Sequence, residues 1–338
     1  MSTEKPTGGP ITTSKRSGPH VSFARWMENL SETAFAYLLL MPVFLLLGSI
    51  AFYPLLRTFE LSLFTNVLGA GEPEFVWFDN YVGLFTGDAD IHFPGSTTFM
   101  PHIETSGSFP FVHVEGWLRS ALVVTLVFTL VSVFFETIIG FGQALVLDQE
   151  FRGRRWVRVA IIIPWAIPIV IQGMIFFLLF HHQTGFLGDY LHSIGLLSAE
   201  PLNDPGSSLV IVMVADIWKT SAFMALLILA GLQSIDRNLY DVARVAGATR
   251  VQRFRRITLP LILPTLGIAI LFRTIDAMRV YGLIDSTAGC VTVPSLSCMV
   301  VETFNDSRGV AAAVAFVTAG LIAMAVAGII YQQAKEGF

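Results

Sequence analysis

The chain has 338 residues, of which 54% are hydrophobic and only 14% charged, with a net charge of −4 at neutral pH and a mean hydropathy of +0.66. A soluble globular domain carries about a quarter charged residues, so the composition excludes that class and points to a membrane protein. The net charge itself decides little; where the charges fall decides more.

Residues 1–33 are polar and rich in Ser, Thr, Gly and Pro, with Lys5, Lys15, Arg16 and Arg25. They predict a disordered cytoplasmic tail that ends in a short interfacial helix over residues 23–30. No signal peptide is expected, because the next apolar run is too long for an h-region and no small-residue cleavage site follows it.

Six apolar runs follow, at about 34–56, 118–147, 157–180, 209–231, 260–283 and 309–332. Each supplies the ~20 residues that a ~30 Å hydrocarbon core demands. The second is over-long and is expected to tilt or to extend beyond the bilayer. Pro42, Pro164, Pro168 and Pro264 lie within runs or near their ends, where neighbouring helices can satisfy the freed backbone groups. The expectation is an all-α polytopic membrane protein with six transmembrane helices over residues 34–335.

Arginine sets the orientation. The tail, the 148–156 loop (Arg152, Arg154, Arg155) and the 232–258 loop (six Arg) fall on one side with Lys335, whereas the loops at 65–115, 184–207 and 284–306 contain no Lys or Arg. Under the positive-inside rule the N- and C-termini are cytoplasmic. The external 65–115 segment is long and rich in Gly, Pro and aromatics, too long for a mere connector; it is expected to cap the outer mouth or to meet a partner that delivers substrate.

Residues 240–260, YDVARVAGATRVQRFRRITLP, form a polar, Arg-rich insert between two apolar runs. The first half reads as a short helix, with Asp241 near its start to complement the helix dipole. Ala243, Ala246, Gly247 and Ala248 have almost no bulk, so another surface can approach closely, and Gly247 permits a turn after the helix. The insert resembles the EAA loop of permease subunits of binding-protein-dependent ABC importers. Asp241, Val242 and Ala243 occupy its first three places, Gly247 follows after three residues, and Ile257, Leu259 and Pro260 after nine more. Asp241 replaces the usual Glu, and Ala246 stands where Asp often precedes the Gly. The resemblance implies a type I ABC importer permease fold and a coupling helix, including Tyr240, that docks on an ATPase.

Ionisable residues at bilayer depth are costly and invite functional explanation. Glu136 lies in the second run. Asp216 and Lys219 stand three apart in the fourth, placed to neutralise each other, and Arg273, Asp276 and Arg279 stand three apart on one face of the fifth. A structural ion-pair network among Glu136, Lys219 and Arg273 is the alternative to a transport role. Residues 215–235, ADIWKTSAFMALLILAGLQSI, resemble the helix before the EAA loop in maltose- and trehalose-type permeases, and LFRTIDAMRVYGLI resembles the helix after it. That resemblance implies a sugar site formed by Asp216, Trp218, Lys219, Thr220, Phe223, Asp276 and Arg279. The chemistry fits: hydroxyls suit carboxylate and guanidinium partners, and an aromatic face suits the C–H surface of a ring. Trp218 serving only to pack against a neighbouring helix stays open. The segment Ser286, Thr287, Ala288, Gly289, Cys290 departs from the family's Thr-Gly-Gly-Gly-Pro, so the outer rim of the site is expected to differ.

Cys290 and Cys298 are the only cysteines and share one external loop. In an oxidising compartment a disulfide between them is expected, with two free thiols as the alternative. The scatter of the histidines gives no metal site. No phosphate-cradling Gly-rich loop, HExxH or GxSxG occurs, so the chain is not expected to be an enzyme or to hold a cofactor. The resemblance implies that ATP and Mg are bound by a separate ABC ATPase dimer. It further implies a second homologous permease subunit, an extracytoplasmic substrate-binding protein or lipoprotein, an inner-membrane location in contact with lipid, and no nucleic-acid partner. A sugar such as trehalose or maltose is the expected cargo. Glycerol phosphate or a phosphodiester, suited to Arg273 and Arg279, is an alternative. So is an ion-coupled secondary transporter using Glu136 and Asp276.

Overall fold

The computed structural model describes residues 31–65, 73–89, 91, 93, 97–101 and 114–335. The tail and interfacial helix expected before residue 31, and parts of the 65–115 segment with His92, His102 and His113, lie outside the described residues. The chain divides into two compact units, Met1–Thr58 and Phe59–Phe338.

In the first unit, α1 (Glu32–Leu47) opens on Ser31, whose hydroxyl accepts from the Ala34 amide at 3.3 Å. Glu32 in the first turn complements the helix dipole. A π-helical turn, Gly48–Phe52, joins α1 to α2 (Tyr53–Ser62). No side chain of α1 is buried although nearly all are apolar, a pattern suited to hydrocarbon rather than to water.

In the second unit, β1 (Phe64–Thr65) pairs antiparallel with β2 (Glu74–Phe75), Phe64 opposite Phe75. Helix α3 (Asp79–Thr86) is tied to this ribbon by Asn80, whose amide donates to the Ser62 and Phe64 carbonyls at 2.8 and 3.0 Å. After α4 (Val114–Leu118) comes α5 (Ala121–Asp148). Its partner is α9 (Pro205–Gln233), capped by Asp204, which accepts from the Ser207 amide at 2.7 Å. The two cross at Gly140, where an added Cβ would lie 2.6 Å from the Met224 Cβ and 2.9 Å from the Ser221 carbonyl oxygen. Only a residue without a side chain lets the backbones meet there.

The third run is not one straight span. It is α6 (Arg154–Ala166) and α7 (Ile169–Phe180), bent by 93° at Ile167 and Pro168. Pro168 has no amide hydrogen to continue the α6 ladder, and the helix breaks there, whereas Pro164 is carried inside α6. Next come α8 (Phe186–Ser193), α9, and the Arg-rich loop of α10 (Arg237–Val245) and α11 (Arg250–Arg253).

The fifth run also differs from expectation. Arg250–Ala277 is a single apolar-enough helical stretch, formed by α11, a π-turn at Phe254–Thr258 and α12 (Leu259–Ala277). Pro260 therefore marks no helix boundary. The wider π-turn before it absorbs the hydrogen bond that proline cannot donate. The chain ends with α13 (Gly282–Thr287), α14 (Leu296–Thr303) and α15 (Arg308–Lys335). Among the described residues, five helices are long and apolar enough to span a membrane, and the bent α6–α7 pair makes a sixth.

Two apolar clusters organise the core along α5 and α9. One gathers Phe128, Val133, Val212, Ala215, Leu283 and Ile284; the other gathers Ala144, Met224, Ile228 and Ile262. Glu136 on α5 and Asp216 on α9 fall between them in sequence, at the level where burial of charge is costly.

Candidate functional site

Arg273 on α12 is the hub of the charged cluster. Its side chain is 2% exposed, and Glu136 is fully buried. The guanidinium donates through Nε and Nη2 to the Glu136 carboxylate (3.0 Å for Nη2–Oε1), through Nη2 also to Asp216, and through Nη1 to Asp276 at 2.7 Å. A planar guanidinium presents a fork of donors that suits two-point recognition of a carboxylate. One side chain thus ties α5, α9 and α12 together.

The carboxylates differ in access. Glu136 and Asp216 are buried, whereas the Asp276 side chain is 78% exposed. Asp216 does not pair with Lys219 as the three-residue spacing predicts. Its carboxylate is taken by Arg273, and the Lys219 ammonium instead donates to the Ile167 carbonyl at 2.8 Å. Burial beside a guanidinium stabilises the carboxylate more than a flexible half-exposed ammonium does.

The remaining predicted site residues divide between open and engaged. Thr220 is buried, and its hydroxyl donates to the Asp216 backbone carbonyl at 2.6 Å, so that hydroxyl is spent within α9. Trp218 is exposed on one side and tilted against Phe176 on α7, centroids 5.8 Å apart. Phe223 stacks on Trp165 at 6.4 Å. Arg279 lies exposed in the turn beyond α12, which ends at Ala277. Beyond α12, burial first, and then the Asp285 and Glu302 carboxylates, raise the Tyr281 phenol above its usual range. Cys290 and Cys298 are disulfide-bonded, with Cα atoms 5.6 Å apart.

In the Arg-rich insert, α10 starts earlier than placing Asp241 at its first turn requires. Asp236 caps it, accepting from the Asn238 amide at 2.9 Å. Asp241 lies mid-helix and faces Arg244 at 3.4 Å, both well exposed. Ala243 is half-buried. Gly247 has φ +80°, a left-handed conformation open to glycine at little cost. Thr249 and Gln252 then cap α11 reciprocally. Tyr240 and Ile257 pack against the second core cluster, and the Tyr240 hydroxyl lies 3.0 Å from that of Thr258 in the π-turn. This bond ties α10 to the foot of the membrane helix that carries Leu259, Pro260 and, farther along, Arg273.

An exposed helix is thus bonded to the foot of the apolar helix that carries the buried charge cluster. Residues 136–336 match the family model described as a binding-protein-dependent transport system inner membrane component. The chain belongs to that family. It is a multi-pass inner-membrane permease subunit, not a catalytic enzyme, and in these importers ATP is hydrolysed by a separate subunit. The permease is 31% identical over 297 residues to the trehalose/maltose transport system permease protein of Thermococcus litoralis, covering 86% of this chain and 90% of that one. It is 35% identical over 260 residues to the sulfoquinovosyl glycerol transport system permease protein of Agrobacterium fabrum, covering 77% and 75%. In fold, the permease resembles a chain of a bacterial ABC transporter involved in import of the polysaccharide alginate, with a TM-score of 0.69 and 21% identity over 93% of this chain and all of that one. Family membership removes the ion-coupled reading of Glu136 and Asp276, and Glu136 is in any case buried against Arg273.

The structure brings Asp216, Asp276 and Arg273 together and places Lys219, Trp218 and Phe223 on the adjoining turns of α9. The contributions of Trp165, the Ile167 carbonyl, Gln172 and Phe176 were not foreseen. The Pro164 and Pro168 pair, four residues apart in an apolar run, carried the only signal.

Proposed function

We propose that this permease conducts a neutral sugar, an α-linked disaccharide such as trehalose or maltose, along a pathway bordered by Trp218, Lys219, Phe223 and Asp276. The supporting observation is the state of Arg273. Its Nε and both Nη nitrogens are committed to three carboxylates, so this guanidinium is not free for a phosphate. Of the carboxylates in the cluster, Asp276 is the one that stays exposed, and a carboxylate accepts from sugar hydroxyls. Exposed aromatic Trp218 supplies a face for a pyranose ring. The trehalose/maltose relative accords with a neutral cargo, and the sulfoquinovosyl glycerol relative marks the anionic alternative.

In this reading both termini are cytoplasmic and α10 is the coupling helix, set by Tyr240, Asp241, Ala243, Gly247, Ile257, Leu259 and Pro260. A second homologous permease completes the pathway. An ABC ATPase dimer, binding ATP and Mg, draws the coupling helices together, and an extracytoplasmic binding protein or lipoprotein delivers the sugar. The motion passes from α10 to α12 through the Tyr240–Thr258 contact rather than through a break at Pro260.

The test is ATPase activity of the purified complex in lipid with its binding protein, given trehalose, maltose or glycerol 3-phosphate. Stimulation by a neutral disaccharide is expected. Stimulation by the phosphate alone would overturn the cargo while leaving the family assignment intact.

A further inference from the structure

Helix α9 grips both limbs of the broken span, and it does so with the same side chains that face the pathway. In order across the break, Phe223 stacks on Trp165 of α6 at 6.4 Å, and Lys219 donates to the Ile167 carbonyl at the bend at 2.8 Å. The Ala215 carbonyl accepts from the buried Gln172 amide of α7 at 2.5 Å, and Trp218 tilts against Phe176 at 5.8 Å. The bend itself is 93°. A backbone oxygen freed by a helix break must find a donor at bilayer depth, and Lys219 meets that need.

These partners are chemical equivalents of a sugar. An ammonium that donates to a carbonyl oxygen donates equally well to a hydroxyl oxygen. An indole or phenyl ring that stacks on another aromatic can instead cover the C–H face of a pyranose. We propose that the broken span is an internal competitor for the cargo: Lys219, Trp218 and Phe223 exchange Ile167, Phe176 and Trp165 for the sugar when it enters. This inference rests on the cargo reading above. Lys219 and Phe223 are then unavailable to cargo in the conformation described here, and sugar binding is linked to release of α6 and α7 from α9. By linkage, whatever weakens the clamp strengthens cargo binding, because the competent state becomes more populated.

The clamp can be cross-linked cleanly, because both cysteines of the chain are already bonded to each other. A Trp165→Cys, Phe223→Cys variant of the assembled complex in lipid would be treated with a short bis-maleimide. The yield would be compared with the unloaded and the trehalose-loaded binding protein, each with the same ATP analogue. The expected result is a drop of about fivefold or more on loading, the low end of ordinary coupling factors. The single variant Trp165→Ala, which keeps every proposed cargo residue, should bind radiolabelled trehalose about fivefold more tightly. An unchanged cross-link, or unchanged or weaker trehalose binding by a folded Trp165→Ala complex, would overturn the competition. Asp276→Ala separates the two readings. Lost transport in Asp276→Ala, with the cysteine pair in an otherwise unchanged chain insensitive to trehalose, removes the competition and leaves the cargo reading standing. Normal transport with a trehalose-sensitive cross-link supports the competition and removes Asp276 from the cargo site.

Discussion

The Glu136–Arg273–Asp216 cluster and the loop of α10 and α11 both concentrate arginine and carboxylate, yet burial gives their charges opposite work. In the cluster the guanidinium is 2% exposed and each contact is desolvated. In the loop, Asp241 and Arg244 meet at 3.4 Å with roughly two thirds of each side chain exposed, where solvent screens most of the attraction. The cluster is a brace between helices, and its value lies in what happens if one member is lost. In the docking role proposed for the loop, its value lies in shape and backbone conformation rather than in its ion pairs.

Substitutions should separate the two regions in size as well as in kind. Arg273→Met should have the largest effect, because it strands two buried carboxylates; breaking a buried pair costs about 3–5 kcal/mol. Thermal unfolding and the yield of assembled complex should both fall sharply. Gly247→Val should come next, since a β-branched residue at φ +80° carries about 1–3 kcal/mol of strain. Here the subunit should still insert, while co-purification of the ATPase and coupled uptake fall; normal coupling would remove the loop from the docking role. Tyr240→Phe deletes one hydroxyl contact with Thr258, worth about 1 kcal/mol. It should lower cargo-stimulated ATPase activity severalfold with little change in stability. Arg244→Ala should be nearly silent, within about 0–1 kcal/mol, in both thermal unfolding and uptake. If Arg244→Ala proved as damaging as Gly247→Val, charge and not backbone shape would rule the loop.

Much of this was legible in the sequence, and the reasons are physical. The apolar spans follow from runs of about twenty apolar residues, and the structure departs from them by the bend in the third and by the earlier start and end of the fifth. Family membership was legible because its signal is spacing: small residues, then Gly247, then Ile257, Leu259 and Pro260. The capping of that segment was not, since Asp236 competes for the helix start that Asp241 had been assigned. The charge cluster was half legible. Spacing within one helix identifies neighbours such as Asp216 and Lys219 but says nothing of Arg273, which lies 57 residues from Asp216 and 137 from Glu136. A partner on another helix wins when it brings better geometry and deeper burial. Lys219 shows the converse, because its carbonyl partner exists only once the third span has bent.

The π-turn at Phe254–Thr258 has a bearing on how the length of this span can vary. Such a turn takes in one residue more than an α-helical turn, and an α-helix rotates by about 100° with each residue. Deleting one residue from 254–258 would return the turn to ordinary spacing and leave Arg250 and Arg273 facing as before. The same deletion between Leu259 and Arg273 would swing the arginine-rich foot, and α10 with it, by about 100° around the helix axis. The foot of this helix is therefore a place where the chain can be shortened by one residue without losing its bearing.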